Sequence, residues 1–149
     1  MEEFKKQNFA KTYPDLDFPS ITKLTADRVN FLRKCLAKRL DVSSDIDGLG
    51  LVRKLDSTEI SLEHVNALEP KFSITEILNI HHVEFDDSVI LNWHRFDDLD
   101  EIKLKDLDEF LSDIWYPASD DIDVFDNSMT WVLSIAHTGK VKFIRLQAH

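Results

Sequence analysis

Trp131-Val132-Leu133-Ser134-Ile135-Ala136-His137-Thr138-Gly139-Lys140-Val141-Lys142-Phe143-Ile144-Arg145-Leu146 is the run that decides the fold. Two segments rich in β-formers, Trp131–Ile135 and Lys140–Leu146, flank His137-Thr138-Gly139, with glycine at the position that tolerates a left-handed turn. The spacing predicts a C-terminal β-hairpin. Ile135, Val141 and Phe143 should pack inward, leaving His137, Lys140 and Lys142 on a wet face. Working back, Val89 to Arg95 is a second strand-like run: Val89, Leu91 and Trp93 share one face, Asn92 and His94 the other. Ile122, Val124 and Phe125 mark a third, with Asp121 and Asp123 projecting to one side.

Helical spacing appears between these runs. Thr25 precedes Val29, Leu32, Leu36 and Leu40 as a ready N-cap. Leu99, Ile102, Leu107, Phe110, Leu111 and Ile114 fall on one stripe, which predicts the best helix of the chain, capped by Asp98 or Asp100 and closed before Pro117. Gly48 and Gly50 break the chain ahead of a short apolar piece, Leu49–Val52. Ser61–Leu68 reads as a short helix ended by Pro70. Ser73 and Glu76 have capping-box spacing before Ile77, Leu78 and Ile80; a strand competes there, and helix is favoured. Residues 1–22, with Pro14 and Pro19 among Asp15, Asp17, Tyr13 and Phe18, read as an extended N-terminal arm. Strands and helices mix without regular alternation. This predicts a single α+β domain over residues 1–149, with a mostly antiparallel sheet, packed helices and the C-terminal hairpin.

Composition agrees. A chain of 149 residues, 43% hydrophobic, can build one sizeable core, and three Gly are too few for a turn-rich all-β protein. The lone Cys35 forms no internal disulfide, and neither a secretory signal nor a run of ~18 apolar residues is seen, so the expected setting is the cytoplasm. The formal net charge is −10, and it is unevenly spread. Residues 84–126 hold 15 acidic groups against Arg95, Lys103 and Lys105. Such a one-sided field repels nucleic acid and anionic membranes and attracts basic protein.

Chemistry is harder to find. There is no glycine-rich phosphate loop, no nucleophile elbow around a serine and no zinc spacing among the histidines. Asp121-x-Asp123 opens like a calcium loop, but the central glycine and closing glutamate are missing. An assembly of His94 and His137 across a sheet is the remaining catalytic arrangement. No catalytic residue, metal or cofactor is therefore assigned. The expected partner-binding surface is Asp97, Asp98, Asp100, Glu101, Asp106, Asp108, Glu109 and Asp113, with Asp120, Asp121 and Asp123 of the following turn and the aromatic anchors Trp115 and Tyr116.

The segment Trp115-Tyr116-Pro117-Ala118-Ser119-Asp120-Asp121-Ile122-Asp123-Val124-Phe125-Asp126, continuing through Ser128, Trp131 and His137-Thr138-Gly139, resembles one in small bacterial immunity proteins of polymorphic toxin and contact-dependent growth inhibition systems. The resemblance spans Trp115 to Val141 and carries no catalytic signature. It implies a non-enzymatic protein that neutralises one cognate toxin domain, often a basic nuclease. Two other functions fit the same composition: an acidic nucleic-acid mimic that blocks a DNA-binding protein, and a small metal-dependent hydrolase built on Asp120–Asp126 and the histidines.

Overall fold

The computed structural model describes residues 1–147. Among them, seven strands form one sheet: β1 (Ile21–Lys23), β2 (Ile60–Asn66), β3 (Ser88–Asn92), β4 (Leu99–Lys103), β5 (Ile122–Phe125), β6 (Trp131–Ile135) and β7 (Lys140–Arg145). Their order is β1-β4-β3-β5-β6-β7-β2, and every neighbouring pair is antiparallel. The C-terminal hairpin is β6–β7, with Trp131 opposite Arg145 and Ile135 opposite Val141. Gly139 closes it at φ 91°, and its N–H donates to the Ala136 carbonyl. A Cβ at Gly139 would lie 2.2 Å from Asn66 Oδ1, so both the turn and the β2 contact require glycine there.

Both faces of the sheet are covered, because alternate residues of the central strands are apolar in both directions. On one face Val89, Leu91, Val124, Leu133 and Val141 pack against α4 (Ile74–Ile80), α5 (Leu104–Glu109) and α6 (Leu111–Ile114). On the other, Ile90, Leu99, Phe125 and Val132 pack against Leu32 and Leu36 of α2 (Ala26–Arg39) and Leu51 and Leu55 of α3 (Gly48–Thr58). The caps are as the sequence predicts: Thr25 Oγ1 accepts from the Arg28 N–H and Ser73 Oγ from the Glu76 N–H. Residues 73–80 are thus helical. None of these helices is long and apolar enough to cross a membrane, among the described residues.

Four expectations are corrected. The apolar stripe from Leu99 to Ile114 is not one helix. Leu99–Lys103 is β4, hydrogen-bonded to β1 on one side and β3 on the other, and the helix begins only at Leu104. Full backbone pairing inside a sheet outweighs a helical spacing that a strand can also accommodate. Asp98 and Asp100 accordingly cap nothing. Most of Ser61–Leu68 belongs to β2, an edge strand whose residues are exposed or half-buried and so lack an alternating signature. Gly48 and Gly50 do not break the chain but start α3, capped by Asp47; Gly48 lies against the Arg95 backbone, where a Cβ would sit 1.7 Å from the carbonyl oxygen.

The N-terminal arm is the fourth. Residues 3–12 form α1 (Glu3–Thr12), with only Lys5 and Phe9 buried. Two inward residues one turn apart leave no visible period. Phe9 packs edge-on to Phe18 and Phe110, and Lys5 reaches the α6 carboxyl end, donating to the Ile114 carbonyl at 2.8 Å and to Asp120 Oδ2 at 2.5 Å.

Candidate functional site

Strand register builds a polar line across an otherwise apolar face. Asn92 on β3 is opposite Asp123 on β5, Asp123 is opposite Ser134 on β6, and Ser134 is opposite Lys142 on β7. These four point to the α2–α3 side, beyond the part of that face which the two helices cover with Ile90, Phe125 and Val132. The end of α3 brings Asp56 and then Glu59 over the line. The loop after β3 adds His94 and Arg95, and the loop after β6 adds His137. All of these but the buried Asn92 line an open cavity of about 430 Å³, walled also by Leu49, Val52 and Arg53.

The hydrogen bonds on its floor are short of a proton. Asn92 Nδ2 donates to Asp123 Oδ2 at 2.8 Å. Ser134 Oγ lies 2.5 Å from Asp123 Oδ1 and 2.9 Å from Glu59 Oε1. One hydroxyl has one proton and serves only one carboxylate. The other carboxyl must therefore carry its own proton to make its bond. Burial, and secondly the charge of Asp123, push the Glu59 carboxyl up to about 8. Burial also raises Asp123. With its carboxyl pushed up to about 8, Glu59 is the acid at neutral pH, donating to Ser134 Oγ, and Ser134 donates to Asp123 Oδ1. Glu59 Oε2 is buried with no hydrogen-bond partner among the described residues.

The rim is exposed and mixed in sign. Lys142 Nζ donates to Asp56 Oδ1 at 2.7 Å, and Asp121 Oδ1 accepts from the His137 N–H at 2.6 Å and lies 2.9 Å from its Nδ1. Arg95 Nε donates to His94 Nε2. Arg53, Arg95 and Lys140 meet no carboxylate among the described residues. His94 and His137 do come to one cavity, as the across-sheet arrangement required. No group of three His, Cys, Asp or Glu side chains among the described residues is placed to hold a metal ion. Comparison with family models, curated proteins and solved structures finds no match to this chain.

The acidic residues expected to make one binding surface have different fates. Asp100 is buried in β4, where it accepts from Trp93 Nε1 and the Met1 amino group, both within 2.8 Å. Asp98 lies 3.6 Å from that amino group and 3.9 Å from Lys23. Asp108 accepts from the backbone N–H groups of Ile74 and Thr75 and from both side-chain hydroxyls of Ser73 and Thr75, holding the start of α4. Asp120 pairs with Lys5 and accepts from the Tyr116 N–H. Trp115 is 2% exposed and donates its Nε1–H to the Asp120 carbonyl, so it is core and no surface anchor. Tyr116 stays half-buried under Phe4, Lys5 and Asn8 of α1. Asp121 and Asp123 belong to the cavity.

What remains is Asp97, Glu101, Asp106, Glu109 and Asp113, none of which has a cationic partner among the described residues. Sequence reasoning counted carboxylates and could not see which ones the fold consumes. It also missed Glu59, Ser134, Asn92 and Lys142 as site residues. The available signal was Asp123 and Ser134, each a polar residue at the center of an apolar strand. Asp108→Ala should lower stability by about 2–3 kcal/mol through the lost α4 cap. Urea unfolding checks this, and a loss under 0.5 kcal/mol, the size of a surface change, would put Asp108 back on the surface.

Proposed function

We propose that this protein is a non-enzymatic cytoplasmic immunity protein, which binds one basic toxin domain and occupies its substrate path. The observation that supports it best is a set of carboxylates without counter-charge beside an apolar groove. Asp106, Glu109 and Asp113 follow one another at three- and four-residue spacing along α5 and α6. Next to them Leu68, Phe72, Leu111 and Pro117 wall a groove of about 370 Å³, with Glu69 and Glu109 also lining it. Uncompensated like charge weakens a folded chain, so its concentration is better explained by a cationic partner than by folding. Desolvation already raises the Asp113 carboxyl, and a partner's Lys or Arg would oppose that shift by favouring the charged form.

The resemblance of residues 115–141 to immunity proteins points the same way. Much of that stretch is structural: Trp115 Nε1 donates to the Asp120 carbonyl, and Asp126 accepts from Trp131 Nε1 and from the Asp86 N–H. We therefore propose the partner-contacting residues outside it, on α5 and α6.

Reversing Asp106, Glu109 and Asp113 to Lys together should leave the thermal midpoint near its original value, because none of the three bonds another residue's side chain. Association with its cognate basic toxin domain should slow by roughly 10–1,000-fold at low salt. Stopped-flow association at two ionic strengths measures it. Unchanged association overturns this surface, and capture of many unrelated basic proteins in place of one favours the nucleic-acid mimic.

A further inference from the structure

The cavity over β3, β5, β6 and β7 is not needed by the surface just described and is built to different chemistry. Its floor has more acceptors than donors. Asp123 and Glu59 bring four carboxyl oxygens; the neighbouring side-chain donors are one Ser134 hydroxyl and the Asn92 amide. Lys142, the nearest cation, is spent on Asp56, to whose carbonyl and Oδ1 it donates. One acceptor, Glu59 Oε2, is buried and unpartnered. Leaving such an acceptor unmet is costly, and a ligand that supplies donors relieves the cost. At the mouth Asp56 and Asp121 are paired with Lys142 and His137, while exposed Arg53, Arg95 and Lys140 have no carboxylate partner among the described residues, so the spare charge there is cationic. Between floor and mouth the wall is aliphatic, from Leu49 and Val52 of α3.

From this order of acceptor floor, apolar wall and cationic mouth, we propose that the cavity binds a small zwitterion: a guanidinium or ammonium head seated on Glu59 and Asp123, a short aliphatic stem along Leu49 and Val52, and an acid group at Arg53, Arg95 and Lys140. A cavity of about 430 Å³ falls in the usual range for small-molecule sites. A planar guanidinium suits the floor best, since its fork of N–H groups can satisfy two carboxyl oxygens at once. Seating the head displaces the proton that burial above all holds on Glu59, with Asp123 on β5 and Asp56 on α3 favouring that proton and Ser134 on β6 and Lys142 on β7 opposing it. Binding therefore releases a proton and strengthens as pH rises from 6 to 8.

The test titrates the full chain with L-arginine and L-lysine, and with two partial ligands: agmatine, which keeps the guanidinium and lacks the acid, and L-citrulline, which keeps the acid and has an uncharged head. Backbone amide NMR shifts locate binding, and calorimetry in two buffers counts protons. Either L-arginine or L-lysine should shift the amides of Asp123, Ser134 and Arg95 and release close to one proton at pH 7. Agmatine and L-citrulline should each bind at least about tenfold more weakly, the loss of one charged contact. Glu59→Gln should abolish proton release and erase the preference for L-arginine over L-citrulline; Asp123→Asn should do the latter if Glu59→Gln is poorly folded. Equal binding of L-citrulline, shifts confined to other surfaces, or no shift with either amino acid at concentrations filling a millimolar site overturns the proposal. No toxin domain enters these measurements, so such a failure leaves the α5–α6 surface untouched, and the reverse also holds.

Discussion

Lys5→Met lowers the unfolding free energy by about 3–5 kcal/mol, the usual cost of removing one partner of a buried charge pair. Lys5 is 1% exposed, and its ammonium makes the charged contact that holds α1 to the body, beside the aromatic packing of Phe4 and Phe9. It donates to Asp120 Oδ2 and to the Ile114 carbonyl, the latter at the end of α6, and sits 4.3 Å from the ring centroid of Trp93 and 5.0 Å from that of Tyr116. Methionine fills the aliphatic space but supplies no donor. The Asp120 carboxylate, which also orients the Tyr116 N–H, is then left in a half-buried site without its cation. Urea unfolding measures the loss, and Lys5→Met/Asp120→Asn should recover part of it, because the orphaned charge is gone. A single-variant loss below 1 kcal/mol would mean that α1 is loosely attached after all, as an arm is.

The second large effect is on the pH dependence of stability, and Glu59 causes it. In the folded chain its carboxyl titrates near 8, against 4.5 for an ordinary glutamate. Between those values the folded state holds one proton more than the unfolded state, so stability is fully present below about 4.5 and is lost as pH rises toward 8. At its steepest the loss is about 1.4 kcal/mol per pH unit. Glu59→Gln keeps the shape and a donor for Ser134 but has nothing to titrate. It should match the parent near pH 5 and exceed it at pH 8, flattening the curve between. Asp123, also raised by burial, adds a slope of the same sign that the variant retains. Parallel curves for parent and variant from pH 5 to 8 would show that Glu59 is ionised throughout.

Both effects fall on residues that no local reading marks out. Lys5 is one of a pair with Lys6 in a polar run, and Glu59 stands between Thr58 and an edge strand. Their importance comes from partners 115 and 75 residues away, Asp120 and Ser134. The acidic count fails in the same manner. Asp106 and Asp108 look alike along the chain, but the Asp108 carboxylate faces the start of α4 and is consumed there, whereas Asp106 is left with its charge.

The elements read correctly from the chain are those whose evidence is local. α2 has an apolar stripe and a threonine cap; α4 has its Ser73–Glu76 spacing; β6 and β7 are runs of β-formers on either side of a glycine turn. Such signals arise from bond geometry and side-chain period, both written within a dozen residues. The sequence by itself determined an antiparallel α+β domain and the inward face of its hairpin. Tertiary structure alone decided that Leu99–Lys103 is a strand, that residues 3–12 are a helix, and that Asn92, Asp123, Ser134 and Glu59 meet. Each of those depends on which strand lies beside which, and pairing across β3, β5, β6 and β7 is set by the burial of whole faces, a quantity that no single segment carries.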